Sequence, residues 1–456
     1  MENKNKTICA ISTPIGVGGI SIIRVSGDES LKIASKLFSS KQDNELKLNP
    51  RKMVLGKFKA ENFCDNCLAV YFKGPNSYTG EDMVEFQCHG GNAVSEGVLK
   101  AVVDAGAEFA GPGEFTKRAF VNGKLSLDEA EGVIDIINSE SDSEVRAGYD
   151  LLNGNLKKQI NNIQDVLTTL LAKIEVSIDY PEEELEDETS VEVKKELLDI
   201  KKNCEEILIN SSTGVKVKSG YRVGIVGKTN VGKSSLLNAM LNYNKAIVTN
   251  ISGTTRDLVE DVYVYNGVKF VLIDSAGIRD TDDVVEQIGI EKSKELINVC
   301  DIVLFVVDGS VDIENEEIDI LNTIVDKNAI LVVNKLDLCN QINIVDKFKK
   351  IWNKDVVFIS AKNQNGVLEL KDKIFNMLID KKVLNSLLLT NARHIDLIKK
   401  GLNNIDNALF AIDNGLTLDM VSIDIQNAWS SFGEITGTSN TEEIVNTIFS
   451  KFCVGK

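Results

Sequence analysis

The sequence predicts an α/β plus α protein: a doubly wound, mostly parallel sheet inserted into a helical domain, behind an N-terminal α+β domain. Three observations predict it. From Arg222 to about Lys382 the chain repeats strand, loop and helix, with apolar runs at 223–226, 270–273, 302–307, 330–333 and 356–359, the pattern of a sheet covered on both faces. On either side of that unit the apolar residues take helical spacing, and neither helical piece buries its apolar face alone. Ahead of both, short β-like runs alternate with glycine-rich turns, as in a mixed α/β domain.

Taken in order, residues 1–122 form the first domain, with strand-like runs at 20–25, 52–58, 68–72 and 83–87. Residues 123–219 form the first helical segment. Ala130, Val133, Ile134 and Ile137 share one face, and Ile160, Ile163, Leu167, Leu170 and Ile174 alternate spacings of three and four, the signature of long amphipathic helices. Pro181 ends the helix, and Glu182 to Glu188 reads as a solvated acidic loop before the helical pattern resumes to about Thr213. The inserted sheet domain covers 220–382, and the second helical segment covers 383–456.

A chain of 456 residues is too long for one core and is expected to fold as two or three domains. No apolar run approaches a membrane span, and the polar start Met1 to Lys6 leads into an apolar strand without a signal-peptide pattern, so the cytoplasm is the expected compartment. The eight scattered cysteines do not form a secreted disulfide framework. Cys64 and Cys67 make a lone C-x-x-C. Zinc would need two more ligands from a chain with two histidines, so the pair reads as a surface-loop coincidence. His89 reads as a turn or packing residue. A net charge of −17 disfavours broad binding to polyanions, so any nucleic-acid partner must be gripped by a local patch.

The chemistry concentrates in the inserted domain. Gly227-Lys228-Thr229-Asn230-Val231-Gly232-Lys233-Ser234 follows a strand and opens a helix, the context in which backbone amides and a helix N-terminus cradle phosphates. Asn230, Val231, Gly232, Lys233, Ser234 and Ser235 are the expected phosphate-side residues. Lys233 should reach the β- and γ-phosphates, and the Ser234 hydroxyl should ligate Mg²⁺. The base is decided by Asn334-Lys335-Leu336-Asp337 at the end of one buried run and Ser360-Ala361-Lys362 after the next. A carboxylate at Asp337 accepts from guanine N1–H and the 2-amino group, whereas adenine offers no matching donors. The expected ligand is therefore GTP.

Asp274-Ser275-Ala276-Gly277 ends the strand after the P-loop helix, where an acid holds Mg²⁺ through water and a glycine amide senses the γ-phosphate. Gly253-Thr254-Thr255-Arg256-Asp257 supplies the upstream switch, with Thr255 the expected second protein ligand of Mg²⁺. After Gly277 a water-orienting glutamine is replaced by Ile278, which cannot hydrogen-bond. Glu286 could take that role if it swings to the γ-phosphate; on the residues alone it also reads as a solvated charge.

Asn230 within the P-loop, the run Thr249-Asn250-Ile251-Ser252-Gly253-Thr254-Thr255-Arg256-Asp257 and the terminal Phe452-Cys453-Val454-Gly455-Lys456 resemble the MnmE (TrmE) family of tRNA-modification GTPases. The resemblance extends to Thr13-Pro14-Ile15-Gly16-Val17-Gly18-Gly19-Ile20, Pro75-Asn76-Ser77-Tyr78-Thr79-Gly80-Glu81-Asp82, His89-Gly90-Gly91 and Pro112-Gly113-Glu114-Phe115, and so covers essentially the whole chain. Thr229, where a proline is common in the family's P-loop, is the chief departure.

What the resemblance implies is an N-terminal folate-binding and dimerising domain, a helical domain in two segments, and the inserted P-loop GTPase domain. It implies a homodimer whose GTPase domains meet when GTP and K⁺ bind. Asn230, Thr249, Ile251 and Thr254 match the K⁺ positions, and Thr249, Asn250, Ile251 and Ser252 join the nucleotide-binding set. Glu286 matches the family's catalytic glutamate. Arg24, Glu85, Lys124 and Lys456 match positions that bind a tetrahydrofolate derivative, in the 5-formyl or 5,10-methylene form. Cys453 matches a cysteine linked to the modification chemistry; a thiolate stabilised by Lys456 and a buried structural cysteine are both open readings.

The implied activity is a K⁺-stimulated GTPase that acts with a flavin-dependent partner of the MnmG (GidA) type, in a heterotetramer or larger complex, to add an aminomethyl-type group at C5 of the wobble uridine of certain tRNAs. Two rivals stand beside it. A ribosome-assembly GTPase would share the switch motifs but should carry an RNA-binding appendage or a second GTPase domain. A scaffold would dimerise under GTP control without modification chemistry.

Overall fold

The computed structural model describes residues 6–40, 45–180, 183–242, 260–274, 296–338, 348–384, 386–439 and 441–456. The first domain contains β1 (Ile8–Ile11), β2 (Ile20–Ser26), α1 (Ser30–Leu37), β3 (Phe38–Ser40), α2 (Glu45–Leu48), β4 (Val54–Lys59), β5 (Cys64–Phe72), β6 (Met83–His89), α3 (Asn92–Asp104) and β7 (Glu108–Phe109). Its sheet runs in the order β3-β4-β5-β6-β2-β1-β7 and is antiparallel except for β1 beside β7. Alternating side chains bury one face: Ile23, Val25, Val84 and Phe86 join Val98 and Val102 of α3 in one core, where Phe58 meets the edge of Phe86 at 5.0 Å.

Cys64 and Cys67 lie on β5, exposed and buried respectively. The pair is therefore on a strand and not in a loop, and a spacing of three sends the two side chains to opposite faces. His89 is not packed: it ends β6 with its ring 70% exposed, Nδ1 lying 2.6 Å from Asp65 Oδ1.

The first helical run comprises α4 (Glu114–Val121), α5 (Leu127–Asn138), α6 (Asp142–Leu152), α7 (Asn155–Asp179), α8 (Glu183–Ile209) and α9 (Ser211–Ser219). The stripe read from sequence is buried: Ile160, Ile163, Leu167, Leu170 and Ile174 all line the inner face of α7. The acidic run is a correction. Residues 183–188 open α8 rather than forming a loop, a position where carboxylates complement the positive end of the helix dipole.

The sheet domain contains β8 (Tyr221–Val226), α10 (Lys233–Asn242), β9 (Glu260–Tyr265), β10 (Val268–Asp274), β11 (Ile302–Asp308), α11 (Asn315–Thr323), β12 (Ala329–Asn334), β13 (Val356–Phe358), α12 (Val367–Leu378) and α13 (Lys381–Leu384). The order is β13-β12-β11-β8-β10-β9, parallel except for the β9–β10 hairpin. The five apolar runs are β8 and β10–β13. They bury alternately against two core clusters, one on each face, as continuous apolar strands must.

Strand β9 was not among the expected strands, although its signal is present. Tyr265-Asn266-Gly267-Val268 holds an Asn-Gly turn with φ of 48° and 75°, the pair of left-handed residues a two-residue hairpin requires. Helices α14 (Ala392–Asp413), α15 (Leu418–Thr436) and α16 (Glu442–Phe449) complete the chain. Helix α15 lies antiparallel to α7, joined by Trp429 Nε1 donating to Thr168 Oγ1 at 3.0 Å and Gln164 Nε2 donating to the Trp429 carbonyl at 3.1 Å.

The chain packs as two compact units, one of residues 1–134, 148–201 and 397–456, the other of 135–147 and 202–396. The sheet domain thus interrupts a helical domain in sequence, with an α+β domain ahead of it, as the apolar pattern predicts. Among the described residues no helix is long and apolar enough to cross a membrane.

Candidate functional site

Strand β8 delivers the chain to the loop 227–232, and α10 begins at Lys233. Glycine is required twice in this loop. A Cβ on Gly227 would lie 2.3 Å from the Val306 carbonyl oxygen of β11; one on Gly232, where φ is +100°, would lie 2.3 Å from Asn334 Nδ2. Asn230 takes a left-handed φ of 62° and is exposed. Parallel register sets Asp274 of β10 level with Ile225 of β8, which brings a buried carboxylate beside the loop.

Lys233 is 8% exposed. Its Nζ donates to the Gly227 and Lys228 carbonyls, both at 2.7 Å. Burial pushes its ammonium below the ordinary lysine value, against the pull of Asp274. A buried cation held by two carbonyl dipoles has charge left to attract an anionic group such as a phosphate. Lys228 pairs with Glu314 at 2.6 Å and Glu316 at 2.8 Å, tying the loop to the start of α11. Ser234 and Asp274 are hard oxygen donors of the kind Mg²⁺ takes.

At the base end, Asn334 is 2% exposed and bridges two loops. Its Nδ2 donates to the Val231 carbonyl at 2.9 Å, and its Oδ1 accepts from the Ala361 amide at 3.0 Å. Lys335 adopts a left-handed φ of 64°, with Nζ 2.6 Å from Asp308 Oδ2. Burial pushes the Asp308 carboxyl up, but hydrogen bonds from Lys335 and Ser310 more than offset this and leave it below the ordinary value. Ser360 Oγ donates to Asp337 Oδ1 at 2.6 Å, and that bond holds the Asp337 carboxyl below the ordinary range. Lys362 is exposed on the same loop and adds to the effect. Hydrogen bonds from Asn334 to Val231 and Ala361 and from Ser360 to Asp337 therefore tie the loop 227–232 to the loops after β12 and β13. Thr249, Asn250, Ile251, Ser252, Gly253, Thr254, Thr255, Ser275, Ala276, Gly277 and Glu286 lie outside the described residues.

A second cluster forms at the C-terminus. Arg24 of β2 and Glu85 of β6 are direct cross-strand partners, with Arg24 Nε 2.8 Å from Glu85 Oε1. The guanidinium lies 5.6 Å from the ring centroids of both Tyr78 and Phe115. The terminal turn docks on this pair: Ser12 Oγ donates to the Gly455 carbonyl at 3.0 Å, and Pro112 bridges to Val454. Burial lowers the Lys456 ammonium, Arg24 lowers it further, and Glu85 and Cys453 oppose the change. Two cations thus share one carboxylate, which suits a ligand carrying its own anionic and amine groups. Lys124 donates to the Pro75 carbonyl at 2.8 Å, on the loop that carries Tyr78. Cys453 is exposed, which removes the buried structural reading.

Sequence reasoning gave Tyr78, Phe115 and Asp308 no role. Tyr78 lies in the loop before β6 and Phe115 in the first turn of α4, and their approach to Arg24 depends on how that loop and helix pack beside the sheet. Asp308 ends a buried strand just as Asp274 does, and that parallel was the available signal.

A family model described as "GTP-binding protein TrmE N-terminus" matches residues 7–124, and one described as "MnmE helical domain" matches residues 127–453. The chain belongs to the MnmE (TrmE) family of tRNA modification GTPases. Proteins named tRNA modification GTPase MnmE are similar over nearly the full length. That of Clostridioides difficile is 41% identical over 99% of both chains. That of Acetivibrio thermocellus is 41% identical over 99% of this chain and all of its own, and that of Desulforamulus reducens is 39% identical over 99% of both. Among solved structures, the G domain of the T. maritima FeoB iron transporter aligns with 34% of this chain and 97% of its own, at 27% identity and a TM-score of 0.27, too slight an overlap to bear on function. The chain is thus a GTP hydrolase of tRNA modification.

Proposed function

We propose that this chain is a K⁺-stimulated GTPase that works with a flavin-dependent partner of the MnmG (GidA) type to add an aminomethyl-type group at C5 of the wobble uridine of certain tRNAs. The observation that carries this reading is the similarity, over 99% of the chain, to tRNA modification GTPases. The reading takes 1–122 as the folate-binding and dimerising domain, 123–219 and 383–456 as the helical domain and 220–382 as the GTPase domain. It makes the protein a cytoplasmic homodimer that joins its partner in a heterotetramer or larger complex.

Asp337 holds guanine, and Lys233 leaves the Gly227 and Lys228 carbonyls for the β- and γ-phosphates. Ser234 and Thr255 would hold Mg²⁺, which would supply positive charge beside the β- and γ-phosphates. Glu286 orients the water that Ile278 cannot; the water oxygen bonds to the γ-phosphorus as the bond to the β–γ bridging oxygen breaks, giving GDP and phosphate. Asn230, Thr249, Ile251 and Thr254 are the residues that would hold K⁺, which supplies positive charge where the transition state gathers negative charge. Arg24, Glu85, Lys124 and Lys456 would hold a tetrahydrofolate derivative, which supplies the one-carbon unit. Cys453, exposed near Lys456, would be the candidate cysteine of the modification chemistry. Hydrolysis itself drives a conformational change through segments ordered by the γ-phosphate.

Steady-state GTP turnover tests the mechanism. Turnover in KCl should exceed that in NaCl by about tenfold or more, the scale of a transition-state charge effect. Equal rates would remove the K⁺ role of Asn230. Glu286→Ala should lower kcat by about 10²–10³ with GTP affinity within about twofold; weaker binding with normal turnover would reject the catalytic role.

A further inference from the structure

Residues 47–59 carry five cations and no carboxylate, in a chain whose net charge is −17. Side chains alternate along β4: Val54 and Phe58 enter the core, while Lys57 and Lys59 are exposed on the opposite face. Arg51, Lys52 and Lys73 are exposed at the start of the same strand, where the Arg51 amide donates to the Tyr71 carbonyl at 2.7 Å. Other exposed lysines of this domain face carboxylates: Lys6 pairs with Glu108, Lys32 with Glu29 and Lys100 with Glu61. Among the described residues no carboxylate pairs with Lys52, Lys57, Lys59 or Lys73. The acids that follow β4 are already engaged, Glu61 by Lys100 and Asp65 by His89.

The neighbours of these cations are neutral and polar. Lys57 stands between Ser39 of β3 and Asn66 of β5, its direct cross-strand partners, and both are exposed. Hydroxyl, ammonium and amide in one row offer donors that phosphate oxygens and ribose hydroxyls accept. Among the described residues of β3, β4 and β5 no aromatic ring is exposed, so the face offers no platform for an unstacked base. Its chemistry suits the backbone of a stacked duplex.

This face also has a fixed place relative to the Arg24 cluster. Leu68 pairs with Gln87, and Glu85 pairs with both Val70 and Arg24, so alternation sets Arg24, Glu85, Asn66 and Lys57 on one side of the sheet. From Lys57 to Arg24 is three strand steps and four residues, about 20 Å at β-sheet spacings.

We propose that the cationic face of β4 binds the phosphate backbone of a tRNA stem and holds the loop of that tRNA toward the Arg24 cluster on the same side of the sheet. This rests on the reading of the chain as acting on tRNA.

Filter binding of unmodified tRNA to the full-length chain, at about 50–200 mM NaCl, tests it. Lys57→Ala combined with Lys59→Ala should weaken binding by about tenfold at the lowest salt and flatten the slope of log K against log salt by about one per lysine. GTP turnover and thermal unfolding should be unchanged, because neither side chain is buried or paired. Lys32→Ala combined with Lys100→Ala removes the same charge from paired lysines and should leave tRNA affinity within about twofold. Unchanged affinity and slope in the first variant overturn the proposal. So does an equal loss in the second, which makes the effect one of total charge. Loss of binding to anionic phospholipid vesicles with tRNA affinity intact assigns the face to a membrane surface and overturns it too. Cells lacking the protein separate this from the underlying reading: if the unsubstituted chain fails to restore modified tRNA nucleosides, that reading fails; if it restores them but binds no tRNA, or both chains bind equally, only the surface fails.

Discussion

Asp337→Asn should turn the base preference of the site from guanine to xanthine. The carboxylate offers two acceptors, matched to the N1–H and 2-amino donors of guanine. An asparagine keeps one acceptor for N1–H and presents an N–H donor where guanine also donates, while xanthine places a carbonyl there. Ser360 Oγ, which donates to Asp337 Oδ1 at 2.6 Å, can donate to the amide oxygen equally well, so the side chain stays in place and only its outward face changes. A site built around hydrogen-bonding donors rejects a mismatched base by about 10²–10⁴-fold. Competition of GDP and XDP against a fluorescent guanine nucleotide should show the reversal. Undiminished GDP affinity would mean that Asp337 does not read the base.

The second large effect has opposite signs in two assays. Lys233→Met removes an ammonium that is 8% exposed and held by two carbonyls. Without nucleotide the variant should be as stable as the parent or more so, because an apolar side chain replaces a poorly compensated buried charge. Nucleotide binding should fall by more than about 10²-fold, since charge-assisted bonds to two phosphates are lost. The pH dependence follows in sign. The folded-state value of Lys233 is lowered, so the unfolded chain holds more protons between that value and about 10.4, and the parent gains stability as pH rises through the window. Lys233→Met should lack that gain. Calorimetry of both proteins without nucleotide, across that window, checks it; a variant less stable than the parent at neutral pH would contradict it.

The fold around the loop 227–232 was legible because its sequence pattern is local. Gly227 to Lys233 form one short run between a strand and a helix, although the atoms that a Cβ at Gly227 or Gly232 would meet, the Val306 carbonyl oxygen and Asn334 Nδ2, lie far along the chain. The continuous apolar runs of β8 and β10–β13 can only be strands covered on both faces. The C-terminal cluster was not legible from the residues themselves. Arg24 and Ser12 meet the Gly455 carbonyl across more than 400 residues of chain, and no spacing rule reaches that far, so Arg24 and Lys456 entered through family resemblance alone. The two local misreadings have local causes. In α8 the acidic run was read as solvent-loving and therefore loop, when carboxylates also favour the first turns of a helix. At β9 the Asn266-Gly267 turn signals a hairpin, but the parallel strand-loop-helix pattern on either side masks this antiparallel edge strand in the sequence.

The central claim is that this GTPase serves the modification of wobble uridines. Mass spectrometry of tRNA nucleosides from cells lacking the protein, set against the same cells with it restored, tests that claim most directly. The account predicts that 5-aminomethyl-type uridines vanish and return. Unchanged nucleosides beside intact GTP turnover would contradict it and leave a GTPase whose work lies elsewhere.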